Sequence, residues 1–75
     1  MGTALFTGEL HKKLGEKIIE LRKKEGLTQE DMCGIVGVDR SYMGFIERGQ
    51  RNITLDKIDK LAKALKVTPK ELFDF

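Results

Sequence analysis

The 75-residue chain is 40% hydrophobic and 35% charged, with a net charge of +2, a balance that favours one small globular domain over disorder. No apolar run approaches the about 20 residues of a membrane span, and the first residues lack the basic start and apolar run of a secretory signal. The single cysteine, Cys33, excludes an internal disulfide and a cysteine-pair metal site. We therefore expect a cytoplasmic domain with no metal, no cofactor and no membrane contact.

The first predicted helix carries an apolar stripe. Residues 1–8 show no clear period and are predicted to be a loose arm, while residues 9–75 are predicted to form the folded domain. The helix is expected from about Glu9 to Glu25, with Gly26 as its left-handed stop. Its apolar residues recur at the spacing of one helix face, and they are Leu10, Leu14, Ile18 and Leu21.

The second predicted helix has recognisable ends. Thr28 precedes it, and Asp31 three residues later completes the pattern of a capping box. Gly37 is the residue at which the helix is expected to end. The predicted buried side consists of Met32, Cys33, Ile35 and Val36.

The third predicted helix follows a turn of only about three residues. Asp39 is its expected N-cap, the helix runs from Arg40 to about Arg48, and Val38 in the turn is expected to fill the core. Such a short connection imposes a large angle between the two helices and leaves the third protruding. A protruding helix of about ten residues fits the major groove of B-DNA, so this segment predicts a helix-turn-helix.

Two further helices complete the pattern. Thr54 is the expected cap of the fourth helix, whose stripe is Leu55, Ile58, Leu61, Ala62 and Leu65. The run Thr68-Pro69-Lys70-Glu71 combines an N-cap, a proline at the first helical position and a capping-box glutamate. It opens a short fifth helix. No segment alternates with period two, so we predict an all-α, compact five-helix bundle.

The third helix has two different faces. Met43 and Ile46 lie on the side suited to the core. On the other side, Arg40 lies in the first turn, where its guanidinium can bind guanine O6 and N7. Ser41 and Phe45 are the other predicted base contacts, with a thymine methyl as the partner of the aromatic ring.

Polar residues around this helix are predicted to hold DNA phosphates. Gln29 begins the second helix, where free backbone N–H groups also favour an anion, and the loop after the third helix offers a second clamp. The predicted phosphate set is Gln29, Tyr42, Arg48, Gln50, Arg51 and Asn52. Residues 27–52 nevertheless carry a net charge of −1, three arginines (Arg40, Arg48, Arg51) against four carboxylates (Glu30, Asp31, Asp39, Glu47). Attraction to DNA must therefore depend on the placement of a few side chains.

The chain resembles a known family from about Leu14 to Phe73. The family is the lambda-repressor-like, Xre-type helix-turn-helix domain, and the similar run is LRKKEGLTQEDM…VGVDRSYMGFIERGQRN…TLDKIDKLAKALKVTPKELF. Within the family, DRSYMGFIERGQRN is most similar to controller proteins of restriction–modification systems. The resemblance implies a homodimer on a palindromic operator that activates or represses restriction–modification genes, including its own, with RNA polymerase as a further candidate partner.

The resemblance also implies roles for single residues. It implies an ion pair between Arg22 and Glu47 that ties the first helix to the third. It implies DNA contacts at Gln29, Arg40, Ser41, Tyr42, Arg51 and Asn52. The chain departs from the family at Gly44, where a polar residue is common, at the bulky Phe45, and at Ile19, where a charged residue is usual. These departures concern the target sequence rather than DNA binding.

Other interpretations stay open from the sequence. An antitoxin-type or phage-type repressor, or a protein-binding module, can carry the same domain. An enzyme is not expected, because the chain has one histidine, one cysteine, no glycine-rich phosphate loop and no recognisable acid–base pair. The apolar residues at the end of the chain are predicted to form a dimer contact, with coverage of the monomer's own core as the alternative, and they are Leu72, Phe73 and Phe75.

Overall fold

The fold is described by a computed structural model that covers the backbone of residues 3–75 and the side chains of residues 8–75. Within this range the regular elements are α1 (Thr3–Lys24), α2 (Gln29–Val36), α3 (Arg40–Glu47), α4 (Leu55–Leu65) and α5 (Pro69–Leu72). The predicted all-α five-helix bundle is confirmed. None of these helices is both long and apolar enough to cross a membrane.

The helix ends follow the caps that the sequence predicts. Thr28 and Thr68 each form a complete capping box, with Asp31 and Glu71 as the respective third helical residues. The hydroxyl of Thr54 accepts a hydrogen bond from a backbone N–H of α4. Each of these caps satisfies N–H groups that the helix itself leaves unpaired, so the starts of α2, α4 and α5 are fixed locally.

The first helix begins earlier than predicted. The sequence pattern places its start at Glu9 and a loose arm over residues 1–8, whereas α1 begins at Thr3. Ala4 and Leu5 have high helix propensity, and no proline interrupts the segment, so the helix can extend beyond its apolar stripe. Residues 1–2 lie outside the described part of the chain. The prediction of a loose arm is therefore wrong for residues 3–8, which lie in α1.

One core joins all five helices. α1 packs against α3, α2 packs against both α3 and α4, and α5 closes the bundle against α1 and α4. The half-buried Val38 packs against this core from the turn between α2 and α3, as predicted. The buried hydrophobic residues are Leu14, Ile18, Leu21, Met32, Val36, Met43, Ile46, Leu61, Ala62, Leu65 and Leu72.

Three residues predicted for the buried stripes are exposed instead. Leu10 on α1 and Leu55 on α4 lie one helical turn before the core begins, and Leu55 is 84% exposed. Ile35 is 53% exposed because it lies about 100° around α2 from the centre of the buried arc, which consists of Met32, Val36 and the half-buried Cys33. In each case the apolar spacing is helical, but the packing among the described residues leaves the side chain exposed.

Leu72 corrects the prediction for the end of the chain. Its side chain is fully buried in the chain's own core, because the single turn of α5 directs it between α1 and α4. Leu72 therefore has no surface to offer to a second protomer. Phe73 and Phe75 are 38% and 53% exposed and lie beside each other, with ring centroids 6.3 Å apart.

Candidate nucleic-acid interface

The turn before α3 sets the direction of the helix. Gly37 adopts the left-handed conformation, with φ of 82°, and its N–H bonds to the carbonyl of Cys33. This conformation costs a glycine little and ends α2 abruptly. Asp39 then accepts a 2.8 Å hydrogen bond from the backbone N–H of Tyr42, which caps α3. The predicted helix-turn-helix is confirmed, with three residues between the helices.

The inner side of α3 lies in direct contact with α1. A Cβ on Gly15 would lie 2.7 Å from the carbonyl oxygen of Ile46 and still closer to that of Glu47. Gly49, just beyond α3, has φ of +72°, and a Cβ there would meet the backbone of Lys12. Two glycines therefore let the backbones of α1 and of the end of α3 touch, which fixes the depth at which α3 lies in the bundle.

A buried carboxylate links the three helices around this contact. The side chain of Glu47 is 5% exposed and receives two hydrogen bonds from Arg22, from Nε at 2.8 Å and from Nη2 at 3.3 Å. The third Arg22 bond, from Nη1, goes to the carbonyl of Leu27 at 3.1 Å. The ion pair that the family resemblance implies is present. Gln29 adds a bond from Nε2 to Glu47 Oε1 at 2.9 Å, which the sequence does not suggest.

The hydrogen bond from Gln29 limits its predicted role. One amide N–H holds Glu47, and the second N–H is the donor left for a phosphate. Since Gln29 is half-buried and held by α3, the side chain is already oriented at the start of α2. It can therefore serve as both a structural link and a phosphate ligand.

The outer side of α3 is a shallow concave surface. Arg40 and Ser41 are exposed in the first turn, as predicted. The surface continues along the helix and is lined by Gln29, Arg40, Ser41, Gly44, Phe45 and Arg48. Donor groups thus line the face that is turned away from α1.

The side chain of Phe45 is less exposed to solvent than the sequence suggests. Its half-buried ring lies beneath two guanidinium groups, with the Cζ atoms of Arg48 and Arg51 at 5.1 and 4.8 Å from the ring centroid. Such cation–π contacts stabilise the arginine positions as well as the ring. Contact between this ring and a thymine methyl stays a prediction, and it requires room beside the two arginines.

The loop after α3 is tied back to the helix. The hydroxyl of Tyr42 donates to the carbonyl of Asn52 at 3.1 Å, and Nε of Arg48 donates to Oε1 of Gln50 at 3.0 Å. A hydroxyl has one proton to donate, so a bond from Tyr42 to a phosphate would replace its bond to Asn52. Arg51 and Asn52 are exposed and keep the side-chain donors needed for the predicted clamp.

His11 joins this region without any signal in the sequence. It is half-buried on α1 and lines an open cleft with Tyr42, Gln50, Arg51 and Asn52. The contact between Gly49 and α1 brings the histidine there, and such an approach between distant segments cannot be read from local spacing.

The described residues give little support to other chemistry. Burial raises the pKa of the Cys33 thiol, which therefore stays protonated near neutral pH, in agreement with a small packing residue. Among the side chains of residues 8–75, no group of three His, Cys, Asp or Glu residues is placed to hold a metal ion.

Comparisons with known proteins agree on one family. The helix-turn-helix family model HTH_3 matches residues 18–72. Control protein C.BamHI from Bacillus amyloliquefaciens is 40% identical over 71 residues, which cover 93% of this chain and 88% of that protein. Control protein C.MunI from a Mycoplasma species is 39% identical over 62 residues, covering 81% of this chain and 84% of that protein.

A solved structure supports the same grouping. The restriction–modification controller protein C.AhdI from Aeromonas hydrophila is 52% identical, with a TM-score of 0.79 over 83% of this chain and 94% of that one. The chain belongs to the HTH_3 helix-turn-helix family of DNA-binding transcriptional regulators, in the group that includes the restriction–modification controller proteins.

Proposed function

We propose that this transcriptional regulator of the controller type binds a palindromic double-stranded DNA operator as a homodimer in the cytoplasm and controls restriction–modification genes, including its own. The observation that carries the proposal is the outer side of α3, where exposed donors face away from the core. Polar side chains that would bind phosphates flank it on both sides, at the start of α2 and in the loop after α3.

The proposed division of roles follows from position. Arg40 and Ser41 in the first turn of α3 would contact base edges, where recognition helices read sequence. Gln29 on one side, and Arg51 and Asn52 on the other, would bind phosphates and set the register of the helix in the groove. The capped and buried inner side of α3 supports this role by keeping the helix rigid.

The homodimer would use the end of the chain. Phe73 and Phe75 are exposed neighbours on the surface of the bundle, and two copies of such a pair can cover each other across a two-fold axis. The two α3 helices would then meet half-sites about one DNA turn apart, roughly 34 Å centre to centre. RNA polymerase is a candidate partner where the operator adjoins a promoter.

Salt dependence tests the phosphate contacts. With about three or four phosphates bound per protomer, the logarithm of the dimer's association constant should fall against the logarithm of salt concentration with a slope of roughly −5 to −7. The measurement is a fluorescence-anisotropy titration of a labelled duplex at several salt concentrations. A slope near zero would contradict DNA binding through this surface.

Footprinting tests the operator and the symmetry. The protein is titrated on DNA that flanks its own gene, and cleavage protection is read on both strands. The proposal expects one or more protected inverted repeats, with two protomers per repeat by analytical ultracentrifugation. An asymmetric footprint with one protomer would contradict the proposed homodimer. The absence of any footprint on flanking DNA would contradict the proposed control of its own gene.

A further inference from the structure

We propose that Gly44 is a specificity-determining position, because its missing Cβ lets the guanidinium of Arg48 lie across α3 and act as a second base reader beside Arg40. From the sequence, Arg48 is predicted to bind a phosphate, and Gly44 stands where the family commonly has a polar residue. The inference rests on the proposed DNA binding and concerns how the same surface selects its target.

Gly44 is buried although it lies on the outward side of a helix. The three atoms nearest to a Cβ built on it all belong to one side chain, namely Nη1, Nη2 and Cζ of Arg48, at 3.1, 3.7 and 3.8 Å. The guanidinium therefore covers the glycine. A methyl group at this position would lie 3.1 Å from Nη1, closer than an ordinary van der Waals contact, so the flexible end of the arginine would have to shift by a few tenths of an ångström.

The arginine is held in this position by two neighbours. Its Nε donates to Gln50 Oε1 at 3.0 Å, and its Cζ lies 5.1 Å from the centroid of the Phe45 ring. These contacts reduce the rotamer freedom that binding would otherwise have to remove. Among the described residues neither Nη group has a hydrogen-bond partner, so both Nη groups of the guanidinium are available to a ligand.

The direction of the side chain decides which ligand it meets. Arg48 follows the last residue of α3, but its guanidinium reaches one turn back, toward the end of the helix that carries Arg40. Both arginines line the same concave surface. Two Nη groups side by side match the O6 and N7 acceptors of guanine.

The spacing gives the expected readout. Folding back over Gly44 places the head of Arg48 about one helical turn, roughly 5.4 Å, from the turn that carries Arg40. Base pairs are stacked about 3.4 Å apart. Arg48 should therefore read a guanine one or two base pairs away from the one that Arg40 reads.

The test uses a matched pair of glycine variants. Gly44→Ala adds a methyl against Arg48, whereas Gly34→Ala adds one to α2, where nothing lies within 4 Å. Both changes raise helix propensity by a similar amount. The wild-type protein first selects its sites from a duplex library with a randomised central segment. Wild type, Gly44→Ala, Gly34→Ala, Arg48→Ala and the double variant Gly44→Ala/Arg48→Ala are then titrated against every single-base-pair change in the selected site.

The inference expects a specific pattern. Arg48→Ala should lose roughly 5- to 140-fold of discrimination at one base pair, and Gly44→Ala should lose about fivefold or more at the same pair. Both should keep discrimination at the pair read by Arg40. Gly34→Ala should match wild type, and Gly44→Ala should have no further effect once Arg48 is absent.

Three results would overturn the inference while leaving the proposed function in place. One is a Gly44→Ala protein with unchanged discrimination. A second is an Arg48→Ala protein that weakens on all sequences equally and shows a salt slope smaller by about 1, which identifies a phosphate contact. The third is a Gly44→Ala effect that persists in the double variant. Failure of the wild-type protein to select any sequence would instead remove the proposed function itself.

Discussion

The two sides of α3 differ in how much they contact the rest of the protein. The inner side touches α1 backbone to backbone, and its Glu47 carboxylate is buried and bonded to Arg22 and Gln29. The outer side carries Arg40 and Ser41, whose side chains are exposed to solvent. The inner side therefore determines whether the helix is held, and the outer side determines what it can bind.

Stability and recognition are therefore assigned to different faces of one eight-residue helix. A change on the inner side should lower the free energy of unfolding without altering the sequence preference of the folded protein. A change on the outer side should alter binding and leave the free energy of unfolding almost untouched. Gln29 connects the two sides, because it bonds to Glu47 and also lines the outer surface.

The largest expected loss of stability comes from the buried carboxylate. Glu47→Ala leaves Arg22 without its partner and should lower the free energy of unfolding by about 3–5 kcal/mol. Urea denaturation followed by circular dichroism measures the loss. The matched control is Glu16→Ala on the exposed side of α1, which should stay within about 0.5 kcal/mol of wild type. Equal losses in the two variants would contradict the structural role of Glu47.

The contact between α1 and α3 should be the next most sensitive. Gly15→Ala forces a methyl against backbone oxygens that cannot turn aside and should cost about 1–3 kcal/mol of stability. Gly8→Ala is the control on the same helix, because a Cβ at that position meets nothing within 4 Å. A Gly15→Ala protein as stable as the control would mean that the two helices are not in contact there. Thermal unfolding of both variants measures the difference.

On the outer side, Arg40→Ala should change binding rather than folding. We expect a loss of about 1–3 kcal/mol in discrimination at one base pair, since a bidentate contact to guanine disappears. Non-specific binding should persist, and the midpoint of unfolding should not move. Lys63→Ala, on the exposed side of α4, is the control. Competition titrations against single-base-pair variants of the selected duplex measure the effect, and retention of full discrimination would exclude Arg40 as a reader.

The smallest expected effect is the response of the helix caps to acid. Hydrogen bonds from the backbone and hydroxyl of Thr28 lower the pKa of Asp31, and those of Thr68 lower the pKa of Glu71. A carboxylate with a lowered folded-state pKa contributes stability above its unfolded value, and the contribution disappears as pH falls through the folded value. The midpoint temperature of thermal unfolding should therefore decrease as the pH is lowered below about 4.

The double variant Asp31→Asn/Glu71→Gln isolates this effect. It should lose part of the acid dependence, because its capping groups no longer titrate. Differential scanning calorimetry from about pH 6 to about pH 2.5 gives the comparison. An identical slope in wild type and the double variant would show that other carboxylates account for the acid response.

The local features of the fold are predictable because they depend on neighbours in sequence. The caps at Thr28, Asp39, Thr54 and Thr68 and the left-handed end at Gly37 each follow from the residue types within one helical turn. The family resemblance supplies the Arg22–Glu47 pair in addition. Together these establish the five helices and the orientation of α3 before any coordinates are considered.

The remaining features depend on approaches between distant segments. Ile35 and Leu72 have helical spacing, but only the packed bundle decides which is exposed and which is buried. A glycine inside a helix looks like a weakness in the sequence, whereas Gly15 and Gly44 each make room for a specific neighbour. The bond from Gln29 to Glu47 has the same origin, since it spans 18 residues.

The most direct measurement is a heteronuclear NMR titration of the isotope-labelled protein with the duplex selected from the randomised library. We expect the backbone amides with the largest chemical-shift changes to lie at the start of α2, along Arg40–Phe45 and in the loop 50–52. The exposed side of α4 around Lys63 should change little. Shifts concentrated on α4, with α3 unchanged, would contradict the claim that the outer side of α3 is the DNA-binding surface.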